Sequence, residues 1–162
     1  MICCFIIQRI KMNEKKNLTI EESFAIAVQN HNKNNLQVAE NLYKKILKTN
    51  PNYAGVYYNL GIMYKELEEY QKAIGCYEKA IQIDPNYANA YYNLGSMLHE
   101  LWELQKAKSY YEKLLNLDPT NKKGCSGYGS LLLKITQHSK GLAYIRKGDG
   151  VIRFTQKDVK II

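Results

Sequence analysis

No apolar run in this chain is long enough to cross a bilayer. The opening stretch Met1-Ile-Cys-Cys-Phe-Ile-Ile7 ends after seven residues, where a spanning helix needs about 20. No basic stretch precedes it, so it does not read as a secretory signal. Cysteine is sparse: Cys3, Cys4, Cys76 and Cys125 include no Cys-x-x-Cys and no metal-ligand spacing. That excludes a disulfide framework and fits a reducing compartment, so a cytoplasmic protein is expected. The three histidines, His31, His99 and His138, stand apart, with no His-x-x-x-His pair to hold a metal. Gly148 and Gly150 lack the Lys-Ser/Thr pair of a phosphate loop, and the glycine-bearing stretch at 141–150 reads as a turn. The acid cluster Glu66, Glu68 and Glu69 lies toward a turn and reads as solvated surface rather than acid–base machinery. Neither a metal nor a cofactor is expected, and the chain is expected not to be an enzyme by itself.

Charge of one sign is also missing where a polyanion binder would need it. The formal net charge is +8, but residues 20–121 hold ten Lys plus Arg against twelve Asp plus Glu. The excess lies at the ends, +3 over residues 1–19 and +7 over residues 122–162. A nucleic-acid binder would carry cations along its binding surface, so nucleic acid is not the expected partner. The basic tail reads as a solubilising end, or as one that meets an acidic partner or a membrane surface.

Proline is scarce, and its placement is informative. Pro51, Pro85 and Pro119 are the only three, each separated by 34 residues. Their surroundings recur in the same frame: Ala54-Gly-Val-Tyr-Tyr-Asn-Leu-Gly61 aligns with Ala88-Asn-Ala-Tyr-Tyr-Asn-Leu-Gly95, and Tyr77-Glu-Lys-Ala-Ile81 with Tyr111-Glu-Lys-Leu-Leu115. The frame gives full units at 20–53, 54–87 and 88–121 and a degenerate or capping unit at 122–148. A 34-residue period belongs to stacked helical hairpins. Position 8 of the units holds Ala27, Gly61, Gly95 and Gly129, and position 20 holds Ala39, Ala73, Ala107 and Gly141. Small residues there let two helices cross at the short end of the usual ~8–10 Å separation. Tyr57, Leu60 and Tyr64 on one helix face Tyr77, Ala80 and Ile81 on the next, at the three-and-four spacing of a buried stripe. Tyr43, Tyr91 and Tyr111 are expected in the core with them. Asp84-Pro85-Asn86 should end one helix, bias Asp84 to extended backbone and offer Asn86 as a cap for the next. Thr19 with Glu22 reads as a capping box at the first helix.

The small, Ala, aromatic and Pro positions together resemble the tetratricopeptide repeat family over roughly residues 20–148. Ser23 and Ala27 depart from the family's aromatic and Gly, and Gly148-Asp149-Gly150 replaces the last proline. The resemblance implies an all-α, right-handed superhelical solenoid of antiparallel hairpins whose first helices line an inner groove. It implies protein–protein interaction, as a scaffold or adaptor holding an extended peptide segment. Carried over position by position, the groove residues are Tyr58, Asn59, Ile62, Lys65 and Glu66 in one unit and Asn89, Tyr92, Asn93, Ser96, His99 and Glu100 in the next. Gly55 and, in the first unit, Glu21, Phe24, Ala25, Val28, His31 and Asn32 take equivalent places. In the family, asparagines at the position of Asn59 and Asn93 form a ladder for peptide backbone. They also serve as bridges between neighbouring helices. His99 is expected to face solvent. Basic pairs that clamp a terminal carboxylate are replaced here by aromatic residues, Ala or Asn, so that mode is not expected.

The ends carry separate expectations. Residues 1–19 read as a flexible extension, with 1–11 arising from a mis-called start codon. Residues 149–162 read as a basic tail with a short strand over Val151–Thr155; Leu142 and Ile145 are expected to be covered either by Val151, Ile152 and Phe154 folding back or by a downstream domain. An alternative reading makes the chain the targeting module of a larger transferase or oxygenase whose catalytic domain lies elsewhere. A third makes it a scaffold that self-associates through the solenoid ends.

Overall fold

The computed structural model describes residues 18–150 and the backbone of 152–154 and 159–161. Among these residues the helices are α1 (Ile20–Asn32), α2 (Leu36–Thr49), α3 (Ala54–Glu66), α4 (Tyr70–Ile83), α5 (Ala88–Glu100), α6 (Leu104–Leu117), α7 (Lys122–Lys134) and α8 (His138–Asp149). They pair as the hairpins α1–α2, α3–α4, α5–α6 and α7–α8. Two short strands follow, β1 (Ile152–Phe154) and β2 (Val159–Ile161), antiparallel with Ile152 opposite Ile161. The strand expected over Val151–Thr155 is thus present at its centre. Its side chains, and with them the capping role, lie outside the described residues, as does nearly all of the 1–19 extension.

The chain divides into two compact units, Met1–Asn52 and Tyr53–Ile162. In the first, α1 starts on the expected capping box: Thr19 Oγ1 accepts from the Glu22 amide at 3.1 Å, and Glu22 accepts from the Thr19 amide at 3.0 Å. Ala27 and Ala39 are fully buried, and Phe24 leans on the buried ring of Tyr43 with centroids 6.2 Å apart. His31, expected on the inner surface, is buried as well.

In the second unit α4 packs on α5, α6 on α7, and α5 on α7, so each hairpin is covered by its neighbour. Gly61, Ala73, Gly95, Ala107, Gly129 and Gly141 are all buried, in keeping with bare backbone at the crossing points. Between them Tyr77, Tyr111 and Tyr128 are enclosed, each ring burial contributing about 1.5–3 kcal/mol. Val56, Met63, Ala90, Met97 and Leu98 are buried too, although no intra-hairpin stripe singled them out. Tyr57 departs from expectation. It is only half-buried, while its counterpart Tyr91 is 7% exposed. Tyr91 is covered by Tyr110 at 6.3 Å, and the residue equivalent to Tyr110 beside Tyr57 is the small Cys76.

Each proline sets its turn as the residue before it requires. Asn50, Asp84 and Asp118 have extended backbone, with φ from −126° to −136°. The cap is different from the one expected. Asn86 does not cap α5; instead the Asp84 carboxylate accepts from the Asn86 amide at 3.0 Å, as Asp118 does from Thr120 and Asn50 from Asn52. The side chain before proline therefore closes an Asx turn. At α7 a true cap exists, with Asn121 Oδ1 accepting from the Gly124 amide at 2.9 Å.

The turn inside each hairpin is a Schellman motif. The Glu69, Glu103 and Gln137 amides reach back to the carbonyls of Tyr64, Leu98 and Leu132 at 2.8–2.9 Å. The residue just before each takes left-handed backbone: Glu68 at φ 58°, Trp102 at 61° and Thr136 at 65°, with Asn34 at 61° in the first unit. None is glycine, and this geometry costs an L-residue roughly 1–2 kcal/mol.

The last hairpin corrects one further expectation. Gly148 and Asp149 do not form a turn but continue α8 to Gly150, which ends it at φ 98°. Gly148 instead serves close packing: a Cβ there would lie 2.6 Å from the Lys122 carbonyl oxygen on α7. Ile145 is buried and seated against Gly129, whose missing Cβ would lie 2.6 Å from it.

Candidate functional site

The expected groove residues of the second unit all lie on the first helices α3 and α5, and the structure links the two helices through them. Tyr58, Asn59, Ile62, Lys65, Tyr92, Asn93, Ser96 and His99 are half-buried, and Glu66, Asn89 and Glu100 are exposed. The Asn93 amide nitrogen donates to the Tyr58 hydroxyl at 3.2 Å across the two helices. The Asn59 amide nitrogen donates within its own helix to the Gly55 carbonyl at 2.8 Å. One turn pair further along, Lys65 meets Glu100 at 3.0 Å, and Ser96 donates to the same carboxylate at 3.2 Å. The bridging role open to Asn93 in sequence is therefore in use. A carboxamide has two N–H donors and an acceptor oxygen, so one engaged donor leaves each amide with capacity for further bonds.

The tyrosines beside the amides are anchored from beneath. Tyr58 sits between Tyr77 and Tyr87, with centroids 6.1 Å and 5.0 Å away. Tyr92 leans on Tyr111 at 6.4 Å. Burial holds the Tyr58 phenol above its ordinary pKa, against the opposing pull of the Asn93 donor. Fixed rings with polar tips form a floor that loses little rotamer freedom when something lies on it.

The amide row stops after α5. Gly127 occupies the equivalent place on α7, and a Cβ there would fall 2.7 Å from the Tyr111 hydroxyl. The ring of the preceding hairpin fills the space an asparagine would need. α7 carries Lys122 and Lys123 at its start, Lys134 at its end, and no carboxylate.

His99 differs from expectation: its ring is half-buried and its Nε2 is enclosed with no hydrogen-bond partner. Burial first, then the nearby Lys134 charge, holds its pKa below the usual imidazole range. Sequence reasoning missed Lys134 and Trp102. The ammonium of Lys134 lies 4.6 Å from the Trp102 ring centroid, and the indole is 70% exposed. The signal was available as the chain's single tryptophan placed 34 residues after Glu68. A separate open recess of about 630 Å³ lies between the Schellman turns of α3–α4 and α5–α6, where Glu69 pairs with Lys72.

No helix among the described residues is long and apolar enough to cross a membrane. No curated protein matches the chain. The tetratricopeptide repeat family matches at residues 54–87, and a second tetratricopeptide repeat model matches at residues 76–108. Among solved structures, MamA is 24% identical with a TM-score of 0.75, over 85% of this chain and 81% of that one. PilF of Pseudomonas aeruginosa is likewise 24% identical with a TM-score of 0.75, over 85% of this chain and 64% of that one. A MamA RS-1 double mutant is 24% identical with a TM-score of 0.72, over 86% and 78% of the two chains. At these identities the likeness shows the fold, and repeat arrays of this kind offer interaction surfaces to other proteins. With the repeat period, the glycine and alanine crossings and the family matches in agreement, this chain carries tetratricopeptide repeats over residues 54–108 within an all-α solenoid fold.

Proposed function

We propose that the protein is an interaction scaffold or adaptor that holds an extended segment of another protein against the face of α3 and α5. The observation that carries this reading is the pair Asn59 and Asn93, half-buried one repeat apart beside anchored tyrosines. Each amide retains donor and acceptor capacity, so each can take one peptide group of a passing strand. The repeat repeats the grip. Two such amides contribute about 0.5–1.5 kcal/mol per bond, and ordering a flexible ligand opposes them, so micromolar affinity is expected. In this reading the chain works in a reducing, cytoplasmic compartment, consistent with the free thiols of Cys76 and Cys125.

The test uses peptides selected from a random display library on the full chain. Asn59→Ala with Asn93→Ala should weaken them about tenfold or more while helicity is kept. Unchanged affinity by titration calorimetry would reject the amide ladder.

A further inference from the structure

Trp102 is both strained and exposed. It holds left-handed backbone at φ 61° and leaves 70% of its surface in water. A bulky residue is out of place at positive φ. The other hairpins put Asn34, Glu68 and Thr136 at this position, so the turn itself does not call for an indole. The left-handed backbone is common to all four turns; what sets this one apart is a large apolar ring left in water where the other hairpins carry polar side chains.

Its surroundings indicate the chemistry. Lys134 lies 4.6 Å from the indole centroid, and none of the ion pairs among the described residues includes it. Glu100, the carboxylate on the facing helix α5, is already held by Lys65 and Ser96. His99 adds no negative charge. What remains is an uncompensated ammonium against an open aromatic plane, at the end of the α3–α5 face where α7 ends on Lys134.

We propose that this rim anchors an acidic–apolar residue pair in the partner segment, the Asp or Glu carboxylate on Lys134 and the adjoining apolar side chain on Trp102. The inference rests on the reading that α3 and α5 hold an extended segment, and it names the chemistry at one end of that segment. A polyanion such as nucleic acid or an anionic membrane draws its affinity from several cations at once. One lysine beside one tryptophan suits a side-chain pair better.

A random peptide display library panned over the full chain, with affinities read by fluorescence anisotropy, tests it. Enriched peptides should share Asp or Glu next to Phe, Leu or Trp. They should bind at least tenfold more weakly to Trp102→Gly and to Lys134→Glu, both still folded by circular dichroism, with Trp102→Ala as a second check on the indole. Peptides that lack the acidic residue, or that lose affinity only with the Asn59 and Asn93 changes, would overturn the rim anchor and leave the amide reading standing. A library yielding no peptide sensitive to either set of changes would overturn both. Tighter, Trp102-dependent binding of single-stranded DNA or of phosphatidylserine vesicles would overturn a peptide as the occupant.

Discussion

Gly61 and Gly95 occupy the same position in successive hairpins, yet the rings above them leave different clearances. A Cβ on Gly61 would meet the Tyr77 ring at 2.6 Å, whereas one on Gly95 would meet Tyr111 at 3.3 Å. Both rings are fully enclosed, so neither can swing away. Gly61→Ala should therefore cost about 1–3 kcal/mol, the range of core overpacking, and Gly95→Ala distinctly less. Urea unfolding of the two variants checks the order. The tyrosines also set a limit at alkaline pH. Burial, with the Glu78 acceptor second, pushes the Tyr110 phenol up to about 12, and burial pushes the Cys76 thiol up to about 11. Burial raises Tyr77, Tyr111 and Tyr128 as well. A group whose folded pKa is raised holds its proton longer in the folded chain than in the unfolded one. Its stabilisation is complete below the ordinary phenol value near 10 and is lost as pH climbs toward 12. Helicity should fall over that window together with the rise of phenolate absorbance. Titration of Tyr77, Tyr110, Tyr111 and Tyr128 near pH 10 with the helices intact would contradict the packing.

At the scale of the element, the period in the sequence announced the helices and the prolines announced their ends. Asp84 and Asp118 took the extended backbone expected before proline. The closing hydrogen bond falls to the residue before proline and not to the one after it, because an Asx turn and a downstream cap use the same residue types within three positions of one another. The left-handed turns were not legible at all. Asn34 is the one residue there that tolerates positive φ well, while Glu68, Trp102 and Thr136 carry no such mark. Their backbone follows from the Schellman bonds that each helix end makes, whatever the side chain. Thr136, β-branched at φ 65° and exposed, bears the highest cost. Thr136→Gly should stabilise the protein by about 1 kcal/mol, raising the urea midpoint with an unchanged slope. Glu68→Gly should act in the same direction by less.

At the largest scale, stability within Tyr53–Ile162 comes from neighbouring hairpins rather than from one centre. Within Tyr53–Ile162, α5 is packed by both α4 and α7, and Ala90, Leu94, Met97 and Leu98 on it are buried. Its amides should exchange most slowly in that unit, and α8, packed on α7 alone, should open more readily. Uniform exchange across α3 to α8 would indicate a single cooperative core instead. The sequence by itself determined the period, the helices and the small residues at the crossings, because each depends on spacing along one chain; the row of candidate groove positions came from the family resemblance. Only the tertiary structure decided which asparagine bridges to Tyr58, why the amide row stops at Gly127, and that Trp102 meets Lys134. Those are contacts between hairpins, fixed by how a ring from one repeat fills or leaves space beside the next. A repeat that looks uniform in sequence can therefore differ from one step to the next in what it offers a partner.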